Sequence, residues 1–296
     1  MKRGQFRLPI IISRPSNQLF FASKINPHYL VKFGLQKYIA NESVNSLFYN
    51  KSEGRIWRRV REAIGKQNAK RIKNAIALLR PSFASHWHKA SKHLLSWKRY
   101  FQLHRALFQQ IISDIKKLSG IKHFALSKIP VYLISDPRSN DKEINAWFSW
   151  MPEESFIVVE IPLGLKTSTS LSPLGILAHE FFHLILRRKT GFMLQINKVA
   201  EKNAKLFAEL SAGRVPNRIF LEELLISSFI PEGYLSEKHL GIKFAPYTSK
   251  PKNLLTWRKL LASQLHKITR RYINGTRQID REYLKHALRA IKQNVK

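Results

Sequence analysis

The sequence predicts an α+β protein, in which a small mixed sheet packs on a buried helix and helical regions precede and follow this core. Short aromatic and β-branched runs with turn residues between them lie in residues 131–161. Apolar residues recur at three- and four-residue intervals on both sides of that stretch. The charge changes along with the pattern, because residues 1–130 hold 26 basic and 4 acidic residues, residues 131–240 hold 12 and 13, and residues 241–296 hold 14 and 2. We therefore expect a basic, mostly helical N-terminal region, a nearly neutral core and a basic helical C-terminal region with these bounds.

The overall composition indicates an anionic partner and excludes cysteine chemistry. The 296 residues include 52 Lys or Arg and 19 Asp or Glu, for a net charge of +33. Nucleic acid or another anionic surface is the kind of partner that such a charge attracts. Hydrophobic residues make up 44% of the chain, which favours a folded core over disorder. The absence of cysteine excludes disulfide scaffolds, thiolate zinc sites and thiol catalysis.

The N-terminal stretch and the hydropathy pattern predict a protein that is not exported. The apolar run from Leu8 to Ile12 is interrupted by Pro9 and is too short for a signal peptide. No window supplies the roughly 18 uncharged apolar residues of a membrane span. We expect a soluble, cytoplasmic protein without a transmembrane segment.

Helices are predicted in both basic regions from the spacing of their apolar residues. In the N-terminal region the periodicity covers Ile56–Leu79 and Trp87–Leu118, with Pro81 between them. In the C-terminal region it covers 253–272 and 281–291. Lys and Arg occupy the intervening positions, so the helices should be amphipathic with basic outer faces.

The core region begins with predicted strands and continues with a predicted buried helix. The strands are Val131–Ile134, Ala146–Trp150 and Ser155–Ile161. Ser172-Pro173 is typical of a helix start, and the basic residues before Gly191 are typical of a helix end. Nearly every residue between these points is apolar, so we expect a helix that is buried on almost all sides.

That helix carries the motif His179-Glu-Phe-Phe-His183. Histidines four positions apart project from one face of a helix, where both imidazoles can bind one zinc ion. Glu180 is then beside the metal and available to act as general base on a water molecule. The alternative is a pair of core histidines bonded to backbone carbonyls, with Glu180 paired to an arginine. A buried cluster without either kind of partner would cost several kcal/mol.

A catalytic zinc needs a third protein ligand, and carboxylates are the best candidates. Glu201 and Glu209 lie off the apolar face of their predicted helix and are better interpreted as solvated charges. Glu222 and Glu223 lie in an otherwise apolar segment, Ile219–Ile230, where a carboxylate requires a cation. We favour Glu223 over Glu222 because Ser227, four residues later, could hydrogen bond to it. Both glutamates could instead pair with arginines of the basic regions.

Residues 131–240 resemble a zincin metallopeptidase of the gluzincin kind, in which a glutamate is the third zinc ligand. The resemblance rests on the short sheet, on the motif helix and on the later glutamate segment, which continues as Pro231-Glu-Gly-Tyr234. It implies that His179, His183 and Glu223 (or Glu222) bind Zn²⁺ and that Glu180 is the general base. The chain departs from the family in placing the third ligand 40 positions after His183.

The resemblance also implies a peptide or protein substrate, which would pair with the edge-like strand Ser155–Ile161. Tyr234 is a candidate donor to the oxyanion. A phenol that merely packs after the Pro231-Glu-Gly turn is the alternative for this residue. Two hypotheses of different class thus remain: a zinc peptidase, and a basic helical nucleic-acid-binding protein in which the motif is structural or inactive.

Overall fold

The computed structural model describes residues 8–25, 46–50, 52–137, 143–150, 155–167 and 170–295. Over these ranges the protein has a mixed α+β fold that is mostly helical, with twelve α-helices and one four-stranded sheet. The described residues form two compact units. The first comprises Met1–Leu103 and Leu126–Ser168, and the second comprises His104–Ala125 and Thr169–Lys296. The division into three regions by charge stays a prediction.

The first unit contains the sheet. Its strands are β1 (Ile10–Ile11), β2 (Val131–Asp136), β3 (Asn145–Ser149) and β4 (Phe156–Pro162), in the order β1-β2-β4-β3. The three strands predicted from β-branched and aromatic runs are confirmed. β2 and β4 are parallel and entirely buried, as expected for strands rich in Val and Ile, and β3 is antiparallel to β4.

The expectation that Ser155–Ile161 is an edge-like strand is wrong. β4 pairs with β2 from Val131↔Ile157 to Asp136↔Pro162 and with β3 from Asn145↔Glu160 to Ser149↔Phe156. β3 covers the side of β4 on which an added strand would have to pair. The backbone of β4 is therefore satisfied on both sides and cannot accept a peptide by strand addition.

Four helices complete the described part of the first unit: α1 (Arg14–Ile25), α2 (Glu53–Ile64), α3 (Lys66–Leu78) and α4 (Arg80–Leu103). The periodic stretch Ile56–Leu79 is thus interrupted at Gly65, whose φ of 81° favours glycine. The helix predicted from Trp87 is interrupted near Leu103. Pro81 lies in the first turn of α4, where a missing backbone N–H costs nothing.

The second unit is helical over its described residues. Its helices are α5 (Arg105–Ser119), α6 (Ser172–Leu186), α7 (Thr190–Lys202), α8 (Ala204–Ser211), α9 (Asn217–Ser227), α10 (Tyr234–Leu240), α11 (Leu254–Asn274) and α12 (Arg281–Gln293). The predicted helices after Asn253 and from Arg281 are confirmed, and α11 begins with a capping box formed by Asn253 and Thr256.

α6 is the buried helix expected from its composition. Its side chains are buried from Leu177 to Leu186 without exception. Helices α5, α9 and α10 pack against it, and Phe108 of α5 meets Phe181 of α6 edge to face at 5.4 Å between ring centroids. The helix therefore presents its polar residues to protein rather than to bulk water.

An ionic cluster around Asp114 connects two of the helices that pack on α6. Asp114 of α5 accepts hydrogen bonds from Lys238 at 2.7 Å and from His239 at 3.0 Å, both on α10, and Lys117 lies 3.5 Å away. The Asp114 side chain is only 12% exposed. Burial would raise its pKa, but the hydrogen bonds and charges of His239 and Lys238 hold the pKa well below the usual range.

None of the described helices is both long enough and apolar enough to cross a membrane.

Candidate metal centre

The motif side chains lie together on the inner face of α6. Pro173 occupies the first turn, and the surrounding Leu, Ile and Phe residues bury the helix on all sides. His179, Glu180 and His183 are 3%, 7% and 1% exposed. Such polar groups need partners, because an unpaired buried charge costs several kcal/mol.

Glu223 of α9 supplies a carboxylate to both histidines. Its Oε2 lies 3.1 Å from His179 Nε2, and its Oε1 lies 3.1 Å from His183 Nε2. The two Nε2 atoms are themselves 3.1 Å apart. The structure thus brings together His179, His183 and Glu223, the three residues for which the sequence predicts metal ligation.

The outer nitrogens of both imidazoles are occupied, which fixes the tautomers. His179 Nδ1 is 2.9 Å from the carbonyl oxygen of Ile230, and His183 Nδ1 is 2.7 Å from Glu222 Oε1. Both partners are acceptors, so each Nδ1 must carry its hydrogen and donate. In the neutral imidazoles each Nε2 then has a lone pair, and the two lone pairs face each other and the Glu223 carboxylate.

This donor set fits a zinc ion. Ligand bonds of about 2.0–2.1 Å in tetrahedral geometry place donor atoms about 3.3–3.4 Å apart. The 3.1 Å between the two Nε2 atoms, and the 3.1 Å from each Nε2 to the Glu223 oxygen that faces it, are within a few tenths of an ångström of that value. Three protein ligands also leave one position for water, as in catalytic zinc sites. Neutral imidazole and carboxylate are ligand types that zinc prefers.

The carboxylates that surround His183 favour its protonated form. Burial alone would lower the pKa of His183, but the charge of Glu223 and the hydrogen bonds to Glu222 and Glu223 raise it to about 10. Burial would likewise raise the pKa of Glu223, whereas His183 and His179 hold it well below 4.5. The cluster therefore favours the binding of a positive charge, which can be that of a proton or of a metal ion.

Glu180 differs from the other carboxylates of the site. Burial raises its pKa to about 7, although the nearby His179 and His183 act in the opposite direction. Its carboxylate is consequently a moderately strong base near neutral pH. That is the property a general base requires.

Glu222 has a role that the sequence analysis did not predict. It is fully buried and bonds to the outer nitrogen of His183 at 2.7 Å, and Arg187 Nε donates to it at 3.3 Å. Burial would raise its pKa, but His183 and Arg187 lower it, so it stays ionised. A carboxylate in this position orients a metal-binding histidine and strengthens its basicity. Glu222 and Glu223 are adjacent, so their side chains diverge by about 100° and reach opposite sides of one imidazole.

Arg258 of α11 is a second residue that the sequence analysis missed. Its Nη1 lies 3.9 Å from Glu223 Oε2, and its Nη2 lies 3.2 Å from Glu232. Its buried Nε has no hydrogen-bond partner in the described part of the chain. The alternative reading, in which a glutamate pairs with an arginine of a basic region, therefore also describes part of Glu223's surroundings. Only the position of this arginine in an amphipathic pattern could have been read from the sequence.

The remaining candidates lie outside the cluster. The Tyr234 hydroxyl is 3.4 Å from the side chain of Asn274, and its ring contacts His266 edge to face. This contact favours the packing role over the oxyanion-donor role, and neither role is tested by the structure. Glu201 and Glu209 are exposed, as expected for solvated charges. The hydrogen bond expected from Ser227 to Glu223 is not made, because Ser227 Oγ is buried and has no hydrogen-bond partner among the described residues.

Comparison of the chain with protein-family models, with characterised proteins and with solved structures gives no match.

Proposed function

We propose that the protein is a zinc-dependent peptidase with a zincin-like catalytic region. The observation that carries the proposal is the convergence of the two imidazole Nε2 atoms and the Glu223 carboxylate at 3.1 Å, beside Glu180. His179, His183 and Glu223 would hold the metal. The motif and the later glutamate segment resemble those of gluzincins. This resemblance supports a peptide substrate rather than an ester or a non-peptide amide.

Residues of the chain would transfer the proton and orient the metal ligands. When bound, the zinc ion would supply Lewis acidity and lower the pKa of its water towards about 7. Glu180 takes the proton of the attacking water and returns it to the leaving amine. The Ile230 carbonyl and Glu222 fix the ring orientations of His179 and His183.

The test separates metal binding from catalysis with single substitutions. Purified protein should contain one zinc per chain by mass spectrometry, and His179→Ala should lose it. Glu180→Gln should retain the zinc but lower the hydrolysis of a quenched fluorescent peptide library by at least about 100-fold, since general bases contribute 10²–10⁴-fold. Glu201→Gln is a matched control on an exposed carboxylate and should change neither quantity.

Two results would contradict the proposal. The first is wild-type protein that takes up no zinc when folded in its presence. The second is a Glu180→Gln protein that cleaves the peptides at the wild-type rate.

A further inference from the structure

The outer side of the α2–α3 hairpin carries a group of exposed cations, which we call the basic hairpin face. It consists of Arg58, Arg61, Lys66, Lys70 and Arg71, all exposed. None of the five makes an ion pair or a side-chain hydrogen bond with another described residue. The two helices, Glu53–Ile64 and Lys66–Leu78, contain eight basic residues and two acidic ones. The exposed carboxylate of Glu62 is next to Arg61 on α2 and offsets one charge, so the face keeps a net positive charge within the described structure.

The basic hairpin face lies on two helices that are packed against an apolar cluster. The opposite sides of α2 and α3 bury Ile56, Val60 and Ile72 in one apolar cluster. Ser52 caps the start of α2 by accepting from the backbone N–H of Arg55. The cations thus project from two fixed helices, and their placement costs less entropy on binding than the same charges on a loop.

The composition of the face argues against a membrane and against single-stranded nucleic acid. Helices that bind membrane surfaces insert an exposed apolar side, but here the apolar sides are buried in the core. Leu78, 63% exposed at the end of α3, is a single residue. Single-strand binding relies on exposed aromatic rings for base stacking. Trp57 is only partly exposed, donates its indole N–H to Glu53 and lies under the ammonium group of Lys73.

The dimensions and charge suit the backbone of a duplex. A helix of 12 residues, such as α2, is about 18 Å long. A duplex presents a phosphate about every 3.4 Å of axis on each strand. Arg58 and Arg61 lie about 4.5 Å apart along α2, so they can meet two separate phosphates, and Lys66, Lys70 and Arg71 of α3 are available for three more. We infer that the basic hairpin face binds double-stranded nucleic acid through its phosphates, independently of base sequence. This function is separate from peptide hydrolysis and does not rest on it.

The experiment compares two variants of equal charge. In the hairpin variant, Arg58, Arg61, Lys66, Lys70 and Arg71 are all replaced by Gln, which keeps helix propensity. In the control variant the replaced residues are Lys198, Lys202, Lys205, Arg214 and Arg218, five exposed cations of the second unit. Each variant lowers the formal net charge from +33 to +28. Fluorescence anisotropy with 20-base-pair DNA and RNA duplexes, between 50 and 300 mM salt, gives the affinity and its salt dependence.

Wild type should bind the DNA or the RNA duplex, with log K falling against log salt with a slope of about −4.5, the value for five phosphate contacts. The hairpin variant should bind at least about tenfold more weakly at 100 mM salt and with a much smaller slope. The control variant should bind within about threefold of wild type. Circular dichroism should be unchanged in both variants, because the replaced side chains are exposed.

Three outcomes would overturn the inference. They are no duplex binding by wild type at 50 mM salt, an equal loss of affinity in the two variants, and tighter hairpin-dependent binding to phosphatidylserine vesicles than to either duplex at equal phosphate concentration. The second outcome would mean that net charge alone attracts the polyanion. A hairpin variant that loses its helical signal would also contradict the premise that these side chains make no structural contacts.

Discussion

Replacing Asp114 by Asn tests the packing that supports the motif helix. The Asp114 carboxylate is mostly buried and accepts hydrogen bonds from Lys238 and His239, which link α5 to α10. Hydrogen bonds to charged groups contribute about 1.5–3 kcal/mol each. An asparagine keeps one acceptor but loses the charge, so we expect Asp114→Asn to lower the free energy of unfolding by about 2 kcal/mol at pH 5.

The pH dependence of this loss follows from the depressed pKa of Asp114. A carboxyl group whose pKa is lower in the folded state stabilises the fold above its unfolded pKa, and this stabilisation is lost as the pH falls towards the folded value. The ordinary value is 3.8, so at pH 3 most of the unfolded chains are protonated at this group while the folded ones are not. The advantage of the wild type over Asp114→Asn should therefore shrink by about 1 kcal/mol between pH 5 and pH 3.

Urea unfolding at pH 5 and pH 3, followed by circular dichroism, measures both quantities. Glu201→Gln, which removes an exposed carboxylate, is the control and should change stability by less than about 0.5 kcal/mol at pH 5. Two results would contradict a stabilising role for the ionised Asp114 carboxylate. They are a loss of less than about 0.5 kcal/mol for Asp114→Asn, and the same loss at both pH values.

Three further substitutions test other parts of the structure. Glu222→Gln should weaken zinc binding by about 10–100-fold in a competition assay with a chromophoric chelator, because it removes the charge that orients His183; unchanged affinity would argue against this role. Tyr234→Phe should leave the rate of peptide hydrolysis within about threefold of wild type, since its hydroxyl bonds to an asparagine; a loss of about 100-fold would instead identify an oxyanion donor. Gly233→Ala should destabilise the protein by at least about 2 kcal/mol in urea unfolding, because the added Cβ would lie 1.9 Å from the Ser228 carbonyl oxygen. Gly191→Ala, which meets nothing within 4 Å, should not destabilise it, and equal effects of the two would contradict the packing described.

The parts of the candidate site that the sequence predicts are those encoded by local spacing. The four-residue separation of His179 and His183 on a helix determines that both imidazoles reach one point. Carboxylates in an apolar helix need a cation, which predicts that Glu222 and Glu223 lie near one, and the structure brings Glu223 to 3.1 Å from both rings. The reason given for choosing it over Glu222 was nevertheless wrong, because Ser227 makes no hydrogen bond to it.

The rest of the site depends on contacts between distant parts of the chain. The Ile230 carbonyl reaches His179 across 51 positions, and Arg258 reaches Glu223 from another helix. No local pattern specifies which carbonyl or which arginine meets a given side chain. The strand order is unpredictable for the same reason, because the run Ala146–Trp150 predicts a strand but not that it covers β4.

Anomalous diffraction at the zinc absorption edge, on crystals grown with zinc, tests the proposed metal centre most directly. The proposed centre should give one strong peak within about 2.0–2.2 Å of His179 Nε2, His183 Nε2 and a carboxylate oxygen of Glu223. A cluster without a peak, or a zinc ion bound by Glu222 in place of Glu223, would contradict it.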